Sequence, residues 1–504
     1  MLLSGVAFGQ MPVAPKPDWQ LLDLQTDGVF GISMEKAYAE LLKGKPHQRV
    51  IVAVIDGGID INHPDLKNVI WTNPGEIPAN RKDDDHNGYI DDVHGWNFLG
   101  SPQESYEYDN DEPIPTIRNY QARYGNLDST QVAKNDLPEY RKYLALKADL
   151  QTKLGILNAE IAGTKQFLQD LGTALKKMGN VHPSVTDFEK FIPANAPEKH
   201  LRDFMISALQ RNPDFDSYVA RGKAKMEDDE LDVRYHLNMD YQPRAKYAEE
   251  YAPSKGRFYG NADVVGPVPP LHATHVTGII AADRTNNIGI KGVADDVRIM
   301  PLRAIPDGGG RDIDEANAIR YAADNGARVI NMSFGLSVAN DREALVAAVN
   351  YALAKGVLFI QAAGNGGDNL DEAISYPDRR PGQETGIEKC FIKVGASGFT
   401  NDEQAFAPFS NYGAHSVDVF APGVAITSTI PDNKYEAHSG TSMAAPVVAG
   451  LAGVIMEYYP KLTAAQVKEI IMQTVVKAAA LKDKCVSGGV VNAYAALKLA
   501  AVYK

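Results

Sequence analysis

The sequence predicts an α/β fold of three layers, with a mainly parallel sheet between helices and a largely helical segment inserted into it. Short, continuous apolar runs alternate with helix-patterned stretches in two parts of the chain, 34–98 and 259–502. Between those parts, residues 99–258 are polar and of different texture.

Val50–Ile55 (VIVAVI) is apolar throughout, as a strand covered on both faces must be. Val297–Leu302, Arg328–Met332, Val357–Gln361 and Phe391–Val394 repeat that pattern. Helical stretches at Ile313–Ala323, Arg342–Ala354, Thr441–Tyr459 and Ala464–Thr474 separate several of the runs. Such alternation builds a parallel sheet through right-handed crossovers. Ligands of such sheets bind beyond the carboxyl ends of the strands. The expected organisation is therefore an arm over 1–48, a main body over 49–98 and 259–504, and an insertion over 99–258. Trp19 and Leu21–Leu24 are expected to form a strand or arm lying on the body.

Within the insertion the spacing predicts one long helix from Pro138 to Met178. Leu150, Leu154, Leu157, Ile161, Thr164, Leu168, Leu171, Leu175 and Met178 recur at steps of three and four. Gly155, Gly163 and Gly172 oppose it, each costing up to ~1 kcal/mol against alanine. A hairpin packed on its own body is favoured over a dimerising coil, with Leu201–Leu209 supplying part of the partner.

The bulk numbers exclude several classes. Of 504 residues, 44% are hydrophobic and 23% charged, which permits a sizeable core. A net charge of −13 argues against nucleic acid and anionic membrane partners, because both need concentrated basic surface. The longest apolar run, Ala444–Met456, falls short of the roughly 20 residues of a membrane span. The first ten residues, MLLSGVAFGQ, read as the end of a secretory signal without its basic start, which points to a secreted or periplasmic protein. Cys390 and Cys485 allow one disulfide or two buried thiols.

Chemistry concentrates in three segments. Ser442 lies in His438–Pro446 (HSGTSMAAP), where Gly440-Thr441 turns directly into a helix. Its N–H is then one of the unpaired donors at a helix start, with the positive end of the dipole behind it. Negative charge developing on a tetrahedral intermediate is favoured there. A serine hydroxyl needs a base, however. His272 and His275, in Leu271–Gly278 (LHATHVTG), stand one helical turn apart, and the pattern alone does not choose between them. A carboxylate must orient that base. Asp56 closes VIVAVI and opens the Gly57-Gly58 turn at the sheet's carboxyl edge, although by itself it reads equally as a turn residue.

Taken together and in the order Asp, His, Ser, three segments resemble the subtilisin-like (subtilase) family: Val54–Asp65 (VIDGGIDINHPD), His272–Gly278 (HATHVTG) and Gly440–Pro446 (GTSMAAP). No Gly-x-Ser-x-Gly elbow surrounds Ser442. The resemblance implies a subtilisin-like fold and a serine endopeptidase acting on protein or peptide substrates, with no organic cofactor. It makes Ser442 the nucleophile, His272 the base and Asp56 the group that orients it, leaving His275 structural. The family's glycine after the base is replaced by Ala273, which is tolerable at negative φ and strained at positive φ. In Gln361–Gly366 (QAAGNG) the resemblance implies that Asn365 joins the Ser442 N–H in holding the oxyanion, with Ala362, Ala363 and Gly364 at the substrate. Ser333, Phe334 and Gly335, in Ile330–Gly335 (INMSFG), resemble the edge to which a peptide adds as a strand. Met332 is expected in the core. The 216-residue separation of Asp56 and His272 motivates an alternative, a catalytically silent scaffold or binding protein on this fold. The arm over 1–48 is short for an inhibitory pro-domain, and the insertion is expected to narrow access in its place.

Lys82–Asp92 (KDDDHNGYIDD) suggests calcium. Asp83, Asp85, Asn87, Gly88 and Asp91 fit successive ligand and turn positions of a calcium loop, with Ile90 as its apolar plug. His94 stands where a bidentate glutamate belongs, so Asp92 or a carboxylate from elsewhere must complete the shell. Carboxylates this close repel one another unless a cation lies among them. Subtilisin-like enzymes often bind calcium, as the resemblance also implies. Oligomeric state leaves no signal in the sequence.

Overall fold

Each apolar run of the main body becomes a strand in the computed structural model, which describes residues 16–251, 256–335, 342–373 and 387–503. The expected signal remnant lies outside them. The strands are β1 (Ile51–Asp56), β2 (Trp96–Asn97), β3 (Arg298–Arg303), β4 (Ala327–Met332), β5 (Leu358–Ala362) and β6 (Phe391–Ser397). Shorter ones follow: β7 (Val419–Pro422), β8 (Ile426–Ile430), β9 (Lys434–His438), β10 (Val476–Lys477) and β11 (Gly489–Val490). Nine form one sheet in the order β10-β11-β7-β6-β5-β4-β1-β3-β2, while β8 and β9 make a separate hairpin. Among the described residues, only the β10–β11 pair of the large sheet is antiparallel.

Alternation along β1 shows the three layers. Val52 and Val54 pack with the helices Leu271–Ala281 and Thr441–Tyr458 on one face. Ala53 and Ile55 pack with Asp312–Asp324 and Arg342–Ala354 on the other. Met332 is buried, as expected. Helix Thr441–Tyr458 is the one described helix long and apolar enough to cross a membrane by composition, and 89% of it is buried in this core. Cys390 and Cys485 are free thiols, the latter buried.

Trp19 and Leu21 are buried as the arm reading requires, but in helical turns rather than a strand. The side chain of Asp23 accepts the N–H groups of Gln25 and Thr26, and this cap starts the turn Leu24–Asp27.

Contacts divide the chain into residues Met1–Glu107 with Arg244–Lys504, and Tyr108–Pro243. The sequence set those limits at 99 and 258. The polar flanks nevertheless carry Leu99, Tyr106 and Tyr247, which bury against one another in the main body. In the smaller unit a helix runs from Leu137 to Met178. Its first half packs Tyr140, Tyr143 and Leu150 with Ile114 and Ile117. Its second half packs Leu171 and Ala174 with Leu201, Met205 and Leu209 of Ala196–Arg211. Gly155, Gly163 and Gly172 stay helical and face open space.

Candidate active site

Asp56 ends β1 at the carboxyl edge of the sheet and is 5% exposed. Both of its oxygens lie 3.0 Å from His272 Nδ1. The other histidine of the pair is elsewhere engaged: His275 is buried, and its Nε2 meets the Glu436 carbonyl at 3.1 Å. Burial, and then the neighbouring His438, push the His275 pKa down to about 3, so it stays neutral. Desolvation acts to lower the His272 pKa too, but the charge of Asp56 and the bond to it prevail and hold it above its ordinary value. Ala273 lies inside the helix Leu271–Ala281 with negative φ, so its methyl group brings no backbone strain.

Ser442 is the second residue of the buried helix Thr441–Tyr458. Its Oγ donates to the Ser333 carbonyl at 2.9 Å, and no hydrogen bond joins it to His272 among the described residues. The Ser333 hydroxyl in turn donates to the Ser442 carbonyl at 3.0 Å. Pro446 explains why that carbonyl is free: four residues on, it has no N–H to give the helical bond.

Four donors open the helix, and their partners sort them. Thr441 N–H donates to Asn365 Oδ1 at 2.9 Å, and Met443 and Ala444 N–H both reach the Gly440 carbonyl. The Ser442 N–H meets no acceptor among the described residues, and neither does Asn365 Nδ2. A single point is close to both donors: a Cβ on Gly440 would lie 3.5 Å from Asn365 Nδ2 and 3.7 Å from Ser442 N. Asn365 is oriented from behind, since Thr441 Oγ1 donates to its Oδ1 at 2.9 Å and accepts from Gly364 N–H at 3.0 Å.

At Gly364 φ is +101°, and a Cβ would stand 2.5 Å from Asn411 Nδ2, so glycine is required there. Ala362 and Ala363 are buried, and the Ala363 N–H and carbonyl pair with Val394 and Asn411. This segment offers a wall more than free hydrogen bonds. Along the other edge Ser333 is buried, Phe334 half-buried and Gly335 exposed.

The acidic loop is assembled differently from the expectation. Ile90 is 54% exposed and plugs nothing; Tyr89, 2% exposed, fills the core instead. Asp91 accepts the N–H groups of Asn80 and Arg81, and its oxygens do not join the converging carboxylates. Asn87 donates its amide to Asp85 and Asp92 and accepts from Tyr89 N–H. The carboxylates whose oxygens converge within 4.8 Å are Asp83, Asp85 and Glu76, which the spacing had not included. Glu76 is 8% exposed, with Oε2 buried and unpartnered among the described residues. Its pKa is raised by burial, which prevails over the lowering by the N–H groups of Asp85 and Asp84, while the charges of those two residues add to the rise. Glu76 lies outside the acidic run, and no spacing rule points to it.

A sequence model described as the subtilase family matches residues 195–494. The chain belongs to the subtilase family. Among relatives of this subtilase, "Thermophilic serine proteinase" of Bacillus sp. (strain AK1) is 46% identical over 186 residues, 36% of this chain and 42% of that protein. Subtilisin DY of Bacillus licheniformis is 37% identical over 205 residues, 40% of this chain and 69% of that one. Thermitase of Thermoactinomyces vulgaris is 40% identical over 185 residues, 36% of this chain and 60% of that one. The chain thus spans less than two thirds of the first and third of these relatives.

Proposed function

We propose that this subtilase is a serine endopeptidase acting through an acyl-enzyme on Ser442. The observation that carries the reading is the His272 ring, bound through Nδ1 to Asp56, on the same sheet edge as a serine at the start of a buried helix. With Nδ1 so engaged, Nε2 is the nitrogen left for the serine proton. Substrate entry turns the Ser442 hydroxyl from the Ser333 carbonyl toward Nε2, and His272 takes its proton as Oγ attacks the scissile carbonyl. The oxyanion forms where the Ser442 N–H and Asn365 Nδ2 are unpaired, both set before the reaction begins. His272 then protonates the leaving amine, and water repeats the sequence. The peptide lies along Ser333–Gly335, with Ala362–Gly364 as the opposite wall.

Fluorophosphonate is expected to label Ser442 and abolish casein cleavage, and retained cleavage in Ser442→Ala would sink the proposal. The alternative, a silent scaffold, draws on the bond between Ser442 Oγ and the Ser333 carbonyl. Well-folded protein that never reacts with the probe would favour it.

Calcium fits the acidic loop: the unpartnered Glu76 oxygen, with Asp83 and Asp85, supplies the hard oxygen donors it takes. The ion would neutralise the loop and stiffen it, with no part in the chemical steps. Secretion is proposed from the N-terminal residues read above.

A further inference from the structure

A buried cation outside the triad grips the turn that carries Asp56. Arg303 ends β3 opposite Asp56 in the parallel register, and its side chain is 0% exposed. A guanidinium out of water is costly unless its N–H groups are met. Here Nε donates to the Gly57 carbonyl at 2.9 Å and Nη1 to Asn97 Oδ1 at 3.2 Å. Nη2 donates to the Tyr106 carbonyl at 2.8 Å and to Glu107 Oε2 at 2.6 Å.

Gly57 is the link to the chemistry. Its N–H donates to Asp56 Oδ1 at 2.8 Å, and that oxygen also faces His272 Nδ1 at 3.0 Å. One residue therefore orients the carboxylate with its N–H while Arg303 holds its carbonyl. Little slack surrounds the turn. A Cβ on Gly58 (φ +121°) would lie 2.3 Å from the Val265 carbonyl, and one on Gly266 2.5 Å from Arg303 Nε. At its far end the guanidinium pairs with Glu107, the last residue of the main body before the inserted unit. The Glu107 carbonyl is itself fixed by Asp307 N–H at 2.8 Å.

We propose that Arg303 is a positioning residue for Asp56, and that its pairing with Glu107 makes the root of the insertion part of the support beneath the triad. The inference rests on Asp56 being the triad carboxylate. A cation that merely satisfied its surroundings would affect stability alone. One that positions Asp56 affects turnover, because Asp56 sets the tautomer and placement of His272.

The test uses the full chain with Arg303→Met, Arg303→Lys and Glu107→Gln, folding checked by circular dichroism and melting. Active molecules are counted by fluorophosphonate labelling, and kcat, KM and the pH profile are measured on a peptide substrate. Arg303→Met is expected to lose at least about tenfold in kcat with KM within about twofold, since misplacement by an ångström can cost ~10²-fold. The acid limb of kcat/KM should move to lower pH as Asp56 supports the imidazolium less well. Arg303→Lys keeps a charge and a donor for the Gly57 carbonyl and should recover most of the turnover. Glu107→Gln should fall between Arg303→Met and the parent. A folded Arg303→Met with unchanged kcat and acid limb overturns the proposal. Should that variant not fold, Glu107→Gln decides alone: unchanged kcat and acid limb overturn it, and a several-fold loss in kcat supports it. A parent chain that the probe never labels removes the protease reading itself, and this inference with it.

Discussion

Ser333 and Ser442 exchange hydroxyls across the end of β4, each Oγ donating to the other's main-chain carbonyl, at 2.9 and 3.0 Å. The arrangement locks the helix start against the strand end. Ser333 Oγ also accepts from Asn331 Nδ2 at 3.0 Å. Ser333→Ala would leave that buried amide and the Ser442 carbonyl both without a partner. A loss of about 1–3 kcal/mol in stability is expected, read by thermal or urea melting. Turnover per labelled molecule should fall as well, because the same hydroxyl fixes the main chain of Ser442.

The acid limb of activity follows from His272. As the base of the proposed mechanism it must be neutral, and its pairing with Asp56 holds its pKa above the ordinary value of 6.5. Protonation therefore sets in as pH falls through a value above 6.5, and kcat/KM should decline there. In Asp56→Asn the charge that supports the imidazolium is gone, so the limb should shift to lower pH while the rate drops. A limb that stayed in place would detach His272 from Asp56 in solution.

Gly440 tests the oxyanion site without touching a donor. Its φ of 166° is extended backbone that any residue adopts, so alanine there brings no conformational strain. Its methyl group would, however, stand 3.5 Å from Asn365 Nδ2 and 3.7 Å from Ser442 N, the two donors proposed above for the oxyanion. Gly440→Ala should lower kcat strongly at nearly unchanged melting temperature. Asn365→Ala removes a donor outright and is expected to cost about 10²–10³ in kcat. Equal kcat in parent and Gly440→Ala would place the oxyanion elsewhere.

The sheet was legible because strands buried on both faces read as unbroken apolar runs; β2, β10 and β11, two residues each, left no such trace. Of the site, β1 brought Asp56 to the edge by its length alone, while the choice of His272 over His275 needed the family resemblance and then the carboxylate facing it. The resting position of the Ser442 hydroxyl depends on a main-chain carbonyl, and carbonyls have no sequence signature. Glu76 was hidden for a related reason: it joins Asp83 and Asp85 through a chain reversal in which Gly75 lets Asp85 approach, a Cβ there lying 2.6 Å from that of Asp85.

Removal of calcium gives a direct check on that cluster. If the ion bridges Glu76, Asp83 and Asp85, chelator should lower the melting temperature of the parent. Glu76→Gln, which keeps the shape but removes one charge, should start lower and respond less to chelator or added calcium. Isothermal titration of the chelated protein should show one binding event fewer in the variant. Identical calcium response in both would remove Glu76 from the shell.

A last prediction concerns pH and stability far from the serine. Glu457, near the end of helix Thr441–Tyr458, is 0% exposed, and its carboxyl faces Asp295, with which it can share a proton. Burial first, then the charges of Asp295 and Asp296, raise its pKa from 4.5 to about 9, with Arg298 acting the other way. A carboxyl held protonated in the fold binds its proton more tightly there than in the unfolded chain. Its contribution is therefore complete below pH 4.5 and is lost as pH rises toward about 9, at a slope of up to ~1.4 kcal/mol per pH unit. Glu457→Gln stays neutral throughout and has nearly the same shape. Its melting temperature should match the parent in acid and exceed it increasingly toward alkaline pH. A difference that did not grow with pH would mean that Glu457 finds a cation or a donor when it ionises.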